Sequence, residues 1–117
     1  MTNAPAIRER FLRDNPTRRL GNLAANLARI ETFGADPNHG EIVRHLAEES
    51  TFFIEWAAPD AEPAVQCQLL ALQRLLITWT RAWDGLWNDS QRRVLMREAA
   101  GQWAQRLLQL GGFVSRQ

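Results

Sequence analysis

Apolar residues recur every three or four positions through the second half of the chain, and this spacing limits the fold more than any other feature. From position 65 to position 86 the gaps alternate between four and three: Val65, Leu69, Leu72, Leu76, Trp79, Trp83 and Leu86. This spacing places the side chains on one face of an α-helix, and no stretch shows the strict alternation of a half-buried β-strand. The chain is therefore expected to be all-α, with one long helix over residues 63–87.

The first half of the chain predicts a short helix followed by a long one. Ile7 and Phe11 lie one turn apart within residues 1–14, which we interpret as a short N-terminal helix or arm. Asn15-Pro16 then offers an N-cap and a first-turn proline, and Gly34 ends the second helix. The core face of that helix is expected at Leu20, Leu23, Leu27 and Ile30.

Two further helices complete the expected fold. Asp36-Pro37, and Asn38 with Glu41 as a capping box, predict the start of a third helix that runs to about residue 57. The fifth helix is capped by Asn88, Asp89 or Ser90, stops at Gly111-Gly112, and is expected to bury Met96, Ala99, Trp103, Leu107 and Leu110. Long amphipathic helices with short connections predict one domain over residues 1–117, an antiparallel four-helix bundle with a short extra N-terminal helix.

Composition argues against several classes of function. The net charge is +1, which gives no general attraction to nucleic acid or to an anionic membrane. The longest uncharged run, residues 63–73, is far shorter than the ~20 residues of a membrane span, so no membrane insertion is expected. Cys67 is the only cysteine, so no intrachain disulfide forms, and we expect a packed thiol in a cytoplasmic protein.

Charge is unevenly distributed along the chain. Residues 1–33 carry six Arg against three acids, residues 34–63 carry one Arg against seven acids, and residues 64–117 carry seven Arg against three acids. An acidic segment between two basic segments suggests complementary packing, either within the bundle or between copies of it.

Glu49 interrupts the core face expected for the third helix, which reads Ile42, Leu46, Glu49, Phe53 and Trp56. An isolated buried carboxylate is costly, so it must be paired, protonated or at a wet edge. Three interpretations follow: an ion pair or a carboxylate at the margin of the core, a polar ligand site shared with His45 one turn earlier, or a core face assigned to the wrong residues.

A metal site does not fit the spacing of the acids and histidines. Di-iron bundles use a Glu-x-x-His pair on each of two helices, whereas Glu41 and His45 are four residues apart and His39 is the only other histidine. No bound metal and no other cofactor are therefore expected.

Tryptophan is abundant, and three of the five step along the fourth helix at Trp79, Trp83 and Trp87. Trp79 and Trp83 belong to the core face, whereas Trp87 at the helix end is expected to be half exposed. With Trp56 it could line a pocket for a small apolar or anionic ligand beside Glu49 and His45. Stacking on nucleic-acid bases would require a basic groove beside exposed rings, so nucleic acid is not an expected partner.

The fourth helix is also apolar on the side opposite its core face. Leu70 and Ile77 project there, interleaved with Arg74 and Arg81. A helix with two apolar faces is either central in the fold or has an outside partner. We interpret these four residues as a contact surface for another copy or for the N-terminal helix. The carboxylates of the third helix, Glu41, Glu48 and Glu55, could meet the arginines in a neighbouring subunit.

Asn22, Asn26 and Arg29 are expected to form a solvent-facing polar face on the second helix.

Three stretches resemble a family of small all-helical cyanobacterial proteins of unknown function: residues 20–30 (LGNLAANLARI), residues 50–59 (STFFIEWAAP) and the Trp-rich residues 75–87. The resemblance covers the central part of the chain. It implies a cytoplasmic bacterial protein and assigns a role to no residue.

The sequence thus favours a non-enzymatic module that acts through protein contacts, with a homodimer as one form. The rival hypothesis is a helical bundle that holds a small apolar or anionic ligand near Glu49, His45, Trp56 and Trp87. An enzyme ranks third, because catalysis needs a nucleophile or an oriented acid–base pair and only Glu49 with His45 suggests one.

Overall fold

The structure, a computed structural model, describes residues 4–113, so the first three residues of the predicted N-terminal arm lie outside the described residues. The described chain contains helices and turns and no strand, which confirms the all-α prediction. Its helices are α1 (Ala4–Arg13), α2 (Pro16–Phe33), α3 (Gly40–Ala57), α4 (Pro63–Arg81), α5 (Trp83–Trp87) and α6 (Ser90–Leu110). Short 3₁₀ turns at Pro37–His39 and Ala58–Asp60 precede α3 and α4.

Local capping chemistry accounts for several helix ends. The Oδ1 atom of Asn15 accepts a hydrogen bond from the backbone N–H of Arg18 at 2.8 Å, at the start of α2. The N-cap of α6 is Asp89, whose Oδ1 accepts from the backbone N–H groups of Gln91 and Arg92 at 3.0 and 3.2 Å. Gly112 follows α6 with a φ of 79°, a conformation that favours glycine. The predicted cap at Asn15 and the predicted stop at Gly111-Gly112 are confirmed.

The start of α3 differs from the predicted capping box. Asp36 accepts a hydrogen bond from the N–H of Asn38 at 2.9 Å and so caps the 3₁₀ turn. His39 then precedes Gly40 without a side-chain cap. The assignment of Asn38 and Glu41 as a capping box is wrong. The carboxylate that accepts from a free backbone N–H group is that of Asp36, its donor is Asn38, and no side chain caps α3 itself.

Helix α2 lies between α3 and α6 and contacts both. Small buried residues at the contact with α6, among them Ala24, Ala100 and Ala104, allow the two backbones to approach closely. Leu20 at the start of α2 lines the same cleft as Leu110 at the end of α6. At the opposite end the backbone oxygen of Glu31 accepts a hydrogen bond from Arg97 at 2.8 Å, so α2 and α6 run in opposite directions.

The predicted long fourth helix is broken at Ala82. Helix α4 ends at Arg81, Ala82 has φ −107° and ψ 29°, and α5 follows. The indole rings of Trp83 and Trp87 stack with centroids 5.4 Å apart, and Trp87 Nε1 donates to the backbone oxygen of Pro37 at 2.9 Å. Because no Gly or Pro stands at 82, we attribute the break to the distant contact of Trp87 with Pro37. The described part of the chain therefore has six α-helices, with α5 contacting both α4 and α6.

The core faces predicted for α2 and α4 are largely buried, but those of α3 and α6 are not the ones expected. On α6, Ala100 and Ala104 are buried beside Met96 and Leu107, whereas Ala99, Trp103 and Leu110 are only partly buried, so the predicted face is wrong by one residue at Ala99 and Trp103.

On α3, Ile42, placed on the core face by its spacing, is 45% exposed. The residues of α3 that are buried are Val43, Leu46, Ala47, Ser50, Phe53, Ile54 and Ala57. Because α3 contacts α1, α2 and α4, apolar residues occupy more than half of its circumference, and the sequence spacing fits two different core faces.

Gly40 is a position where an added methyl group should disturb the local packing. A Cβ on Gly40 would lie 2.8 Å from Nε1 of Trp87, whose indole is held by the stack on Trp83 and by its bond to Pro37. We expect Gly40→Ala to lower the free energy of unfolding by about 2 kcal/mol because of this steric overlap. In a helix without such an overlap, replacing Gly by Ala raises the free energy of unfolding by about 1 kcal/mol.

Urea denaturation measures this effect, with Gly85→Ala as the control. A Cβ on Gly85 would meet nothing closer than the Arg92 side chain at 3.7 Å, so its stability is expected to stay level or rise. A Gly40→Ala variant as stable as the wild type would contradict the packing described for Trp87.

Candidate interaction surface

The predicted ligand-binding residues do not form one site. Trp56 lies near the end of α3, where its ring packs 6.0 Å from that of Phe53. Trp87 packs against Gly40 at the start of α3, sixteen residues and therefore about 24 Å away along the helix. His45 is exposed between them. Trp87 is also buried, not half exposed as predicted, because its indole packs against Gly40, stacks on Trp83 and donates to the backbone oxygen of Pro37.

Glu49 lies at the margin of the α2–α3 contact instead of on the core face of α3. Its side chain is partly buried, and Oε1 accepts a hydrogen bond from Asn26 Nδ2 at 3.0 Å. Ser50, one residue later, occupies the fully buried position. The prediction that Glu49 interrupts the core face is therefore wrong: Ser50 is the buried polar residue of α3, and the carboxylate of Glu49 accepts a hydrogen bond from an amide of α2.

A buried polar cluster joins the middles of α2 and α3. Asn26 is 2% exposed and its Nδ2 also lies 3.4 Å from Ser50 Oγ, while Arg29 donates to its Oδ1 at 3.2 Å. Ser50 Oγ donates to the backbone oxygen of Leu46 at 2.7 Å. The prediction that Asn26 faces solvent is wrong. Because the buried polar groups of both residues have partners, we interpret the cluster as a device that fixes how α2 pairs with α3.

A cleft of about 320 Å³ opens where the start of α2 meets the end of α3 and the start of α4. Arg19 lines it, with only 11% of its side chain exposed, and forms an ion pair with Asp60 at 2.9 Å. Its Nε and Nη2 atoms donate to the backbone oxygens of Asp14 and Leu12 at 2.9 and 3.0 Å. The guanidinium therefore ties the end of α1 to the turn before α4, and none of the four predicted ligand residues lines this cleft.

Within residues 4–113, every helix is too short or too polar to cross a lipid bilayer. No group of three His, Cys, Asp or Glu side chains is placed to hold a metal ion there.

The outer side of α4 exposes the four residues predicted as a contact surface. Leu70 and Ile77 are 49% and 36% exposed, and Arg74 and Arg81 are both exposed beside them. Helix α1 packs on α3, so the N-terminal helix is not the cover for this surface. We call Leu70 and Ile77 the apolar pair, and Arg74 and Arg81 the basic pair.

A hydrogen bond at one end and a shared cleft at the other indicate which residues of α3 and the turn after it lie level with which residues of α4. Gln66 Nε2 donates to the backbone oxygen of Ala58 at 2.6 Å. At the other end of the two helices, Arg44 and Arg81 line one cleft. Helices α3 and α4 therefore run in opposite directions, and each residue forward along α3 corresponds to about one residue backward along α4.

This correspondence places the acidic residues of α3 at the same height as the apolar pair, and the ion pair of Glu48 with Arg44, which shares a cleft with Arg81, places them on the side of α3 next to α4. Glu48 is level with Ile77, and Glu55 is level with Leu70. Glu41, Glu48 and Glu55 are all exposed, and we call them the acidic row. The ion pair of Glu48 with Arg44 spans 3.1 Å, and both side chains are about half exposed.

The three groups lie in a fixed order across the surface. A helix turns about 100° per residue, and Gln66 marks the side of α4 that touches α3. Moving outward from Gln66 around α4, Ile77 and Leu70 come first, and Arg81 and Arg74 follow. The surface therefore reads acidic row, apolar pair, basic pair. Sequence reasoning identified these residues but could not supply their order, which depends on how α3 packs beside α4.

Cys67 also differs from its prediction. Its thiol is exposed, whereas a packed thiol was expected. Cys67 follows Gln66 by one residue, so it points about 100° further around α4 and away from α3. The apolar character of cysteine gives no information about which side of a helix it takes.

Comparison with protein-family models, with curated proteins and with solved structures finds no match for this chain. The resemblance to a cyanobacterial family therefore stays a prediction.

Proposed function

We propose that this chain is a non-enzymatic assembly module of the cytoplasm that forms a homodimer through the outer surface of α3 and α4. The observation that carries the proposal is the exposed apolar pair lying between a row of carboxylates and a pair of arginines. Exposed apolar side chains rimmed by charge are typical of protein–protein contacts. Four long helices in an antiparallel bundle would provide the rigid frame for this surface.

A second copy is the partner that the charges favour. Symmetric dimers use the same surface on both subunits, so that surface must be complementary to itself. Here the acidic row and the basic pair flank the apolar pair on opposite sides, so the acidic row of each copy can lie against the basic pair of the other. The exposed ion pairs contribute little affinity and mainly set the pairing, while burial of Leu70 and Ile77 contributes the attraction. The surface is small, so we expect a weak dimer.

The proposal is tested by placing a charge in the apolar pair. Ile77→Asp would bury a carboxylate in the dimer, and we expect its dissociation constant to rise at least about tenfold, which corresponds to roughly 1.4 kcal/mol. Sedimentation equilibrium measures the constant. Circular dichroism checks that the helices are retained, since Ile77 is already partly exposed.

Leu95→Asp is the matched control, because Leu95 is an exposed leucine on α6, 64% exposed and outside the proposed surface. It is expected to associate as the wild type does. The proposal fails if Ile77→Asp self-associates like the wild type, or if both variants dissociate to the same extent.

A further inference from the structure

We infer that the two copies pair with their α4 helices parallel, around a two-fold axis that runs along the helix direction between them. This inference rests on the proposed homodimer and adds its geometry. It follows from the order of the charged groups across the surface.

Only two simple arrangements bring the apolar pair of one copy against that of the other. The two-fold axis lies in the plane of contact, and it runs either across α4 or along it. An axis across α4 makes the two helices antiparallel and leaves each group on its own side. An axis along α4 makes the helices parallel and exchanges the two sides.

The antiparallel arrangement places like charges together. With the apolar pairs in contact, Leu70 of one copy would face Ile77 of the other. The acidic row would then face the partner's acidic row, and Arg74 would face the same residue of the partner. Like charges opposed across an interface are unfavourable and suppress a pairing.

The parallel arrangement places opposite charges together. Each residue then keeps its level along α4, so the acidic row of one copy lies over the basic pair of the other. Glu48, level with Ile77, lies within about one turn, or 5–6 Å along the axis, of both the partner's Arg74 and the partner's Arg81. Glu55 lies at a similar axial distance from the partner's Arg74. One further cation, Arg44, lies level with Arg81. Within each copy, Glu48 forms an ion pair with Arg44 at 3.1 Å.

Single cysteines distinguish the two arrangements. In a Cys67→Ser background, Leu70→Cys and Ile77→Cys are prepared separately in the full chain and oxidised mildly. On a parallel axis each cysteine meets its own copy, so each variant alone should form a disulfide dimer. In the antiparallel arrangement a cysteine lies about 10 Å along the helix from its own copy, beyond the roughly 7 Å that a disulfide allows between Cα atoms. Only a mixture of the two variants would then cross-link.

Leu95→Cys in the same background is the control for random collision. Each interface variant is expected to cross-link at least about tenfold faster, because the dimer holds its two thiols at a high effective concentration. Sedimentation of the unmodified chain distinguishes the two failures. A dimer that cross-links only as the mixture overturns the parallel arrangement and leaves the proposed function intact. A dimer in which neither variant cross-links faster than Leu95→Cys overturns both, as does a chain that stays monomeric.

Discussion

Asn26→Asp is expected to lower the free energy of unfolding by about 3 kcal/mol at pH 7, because it buries a carboxylate beside another one. The side chain of Asn26 is 2% exposed, and its Nδ2 lies 3.0 Å from Oε1 of Glu49. In the variant an oxygen would face that carboxylate. Arg29, which already donates to Asn26 at 3.2 Å, would offset only part of the repulsion.

The pH dependence of this loss identifies its cause. Repulsion and burial raise the pKa of the carboxyl introduced at position 26 in the folded state above the unfolded value of about 3.9. The destabilisation is therefore complete above the raised pKa, declines as the pH falls through it, and disappears below the unfolded value. Urea denaturation of variant and wild type at several pH values measures the difference. Asn88→Asp, at an exposed position, should change stability by no more than about 0.5 kcal/mol. An equal effect at both positions, or a loss independent of pH, would contradict the buried polar cluster.

Phe53→Ala is expected to cost about 3–5 kcal/mol, the range found when a buried aromatic ring is removed from a core. Phe53 is buried, and its ring stacks on that of Phe11 with centroids 4.5 Å apart and an interplanar angle of 23°. The same ring packs against Trp56. The variant would therefore leave a cavity in the core and would also remove the aromatic contact that attaches α1 to α3.

Phe52 provides the control at the adjacent residue. It is 46% exposed, so Phe52→Ala should cost less than about 1 kcal/mol. Hydrogen exchange should show that α1 opens more readily in Phe53→Ala and remains unchanged in Phe52→Ala. Similar losses in the two variants would mean that the buried side of α3 has been assigned incorrectly.

The sequence predicted the parts of the fold that depend on local chemistry. The 3–4 spacing of α4 holds, with Leu69, Leu72 and Leu76 fully buried. Asn15 caps α2 as its side chain and the following proline indicate. Both results follow from residues a few positions apart, and no distant contact is needed to produce them.

The errors on α3 and α4 arise from contacts between distant parts of the chain. Spacing alone could not choose between Ile42 and Val43 as the core residue of α3, because α3 has three neighbours. The break at Ala82 carries no local marker, and the contact of Trp87 with Pro37 spans fifty residues.

The polar cluster was missed for a related reason. Asn26 and Ser50 each flank an apolar face, so either residue alone is compatible with exposure to solvent. Their burial becomes evident only when α2 and α3 are brought together and the two side chains meet. The residues of the proposed interface were found from sequence, but their order across the surface required the alignment of α3 with α4.

Sedimentation equilibrium of the unmodified chain, over concentrations from roughly 1 μM to 1 mM, is the most direct test of the central claim, since a weak dimer dissociates within that range. We predict an average mass that rises from the monomer value of 13.4 kDa towards twice that value as the concentration increases. A mass that stays at 13.4 kDa at every concentration would contradict the assignment of the outer surface of α3 and α4 as a self-association surface.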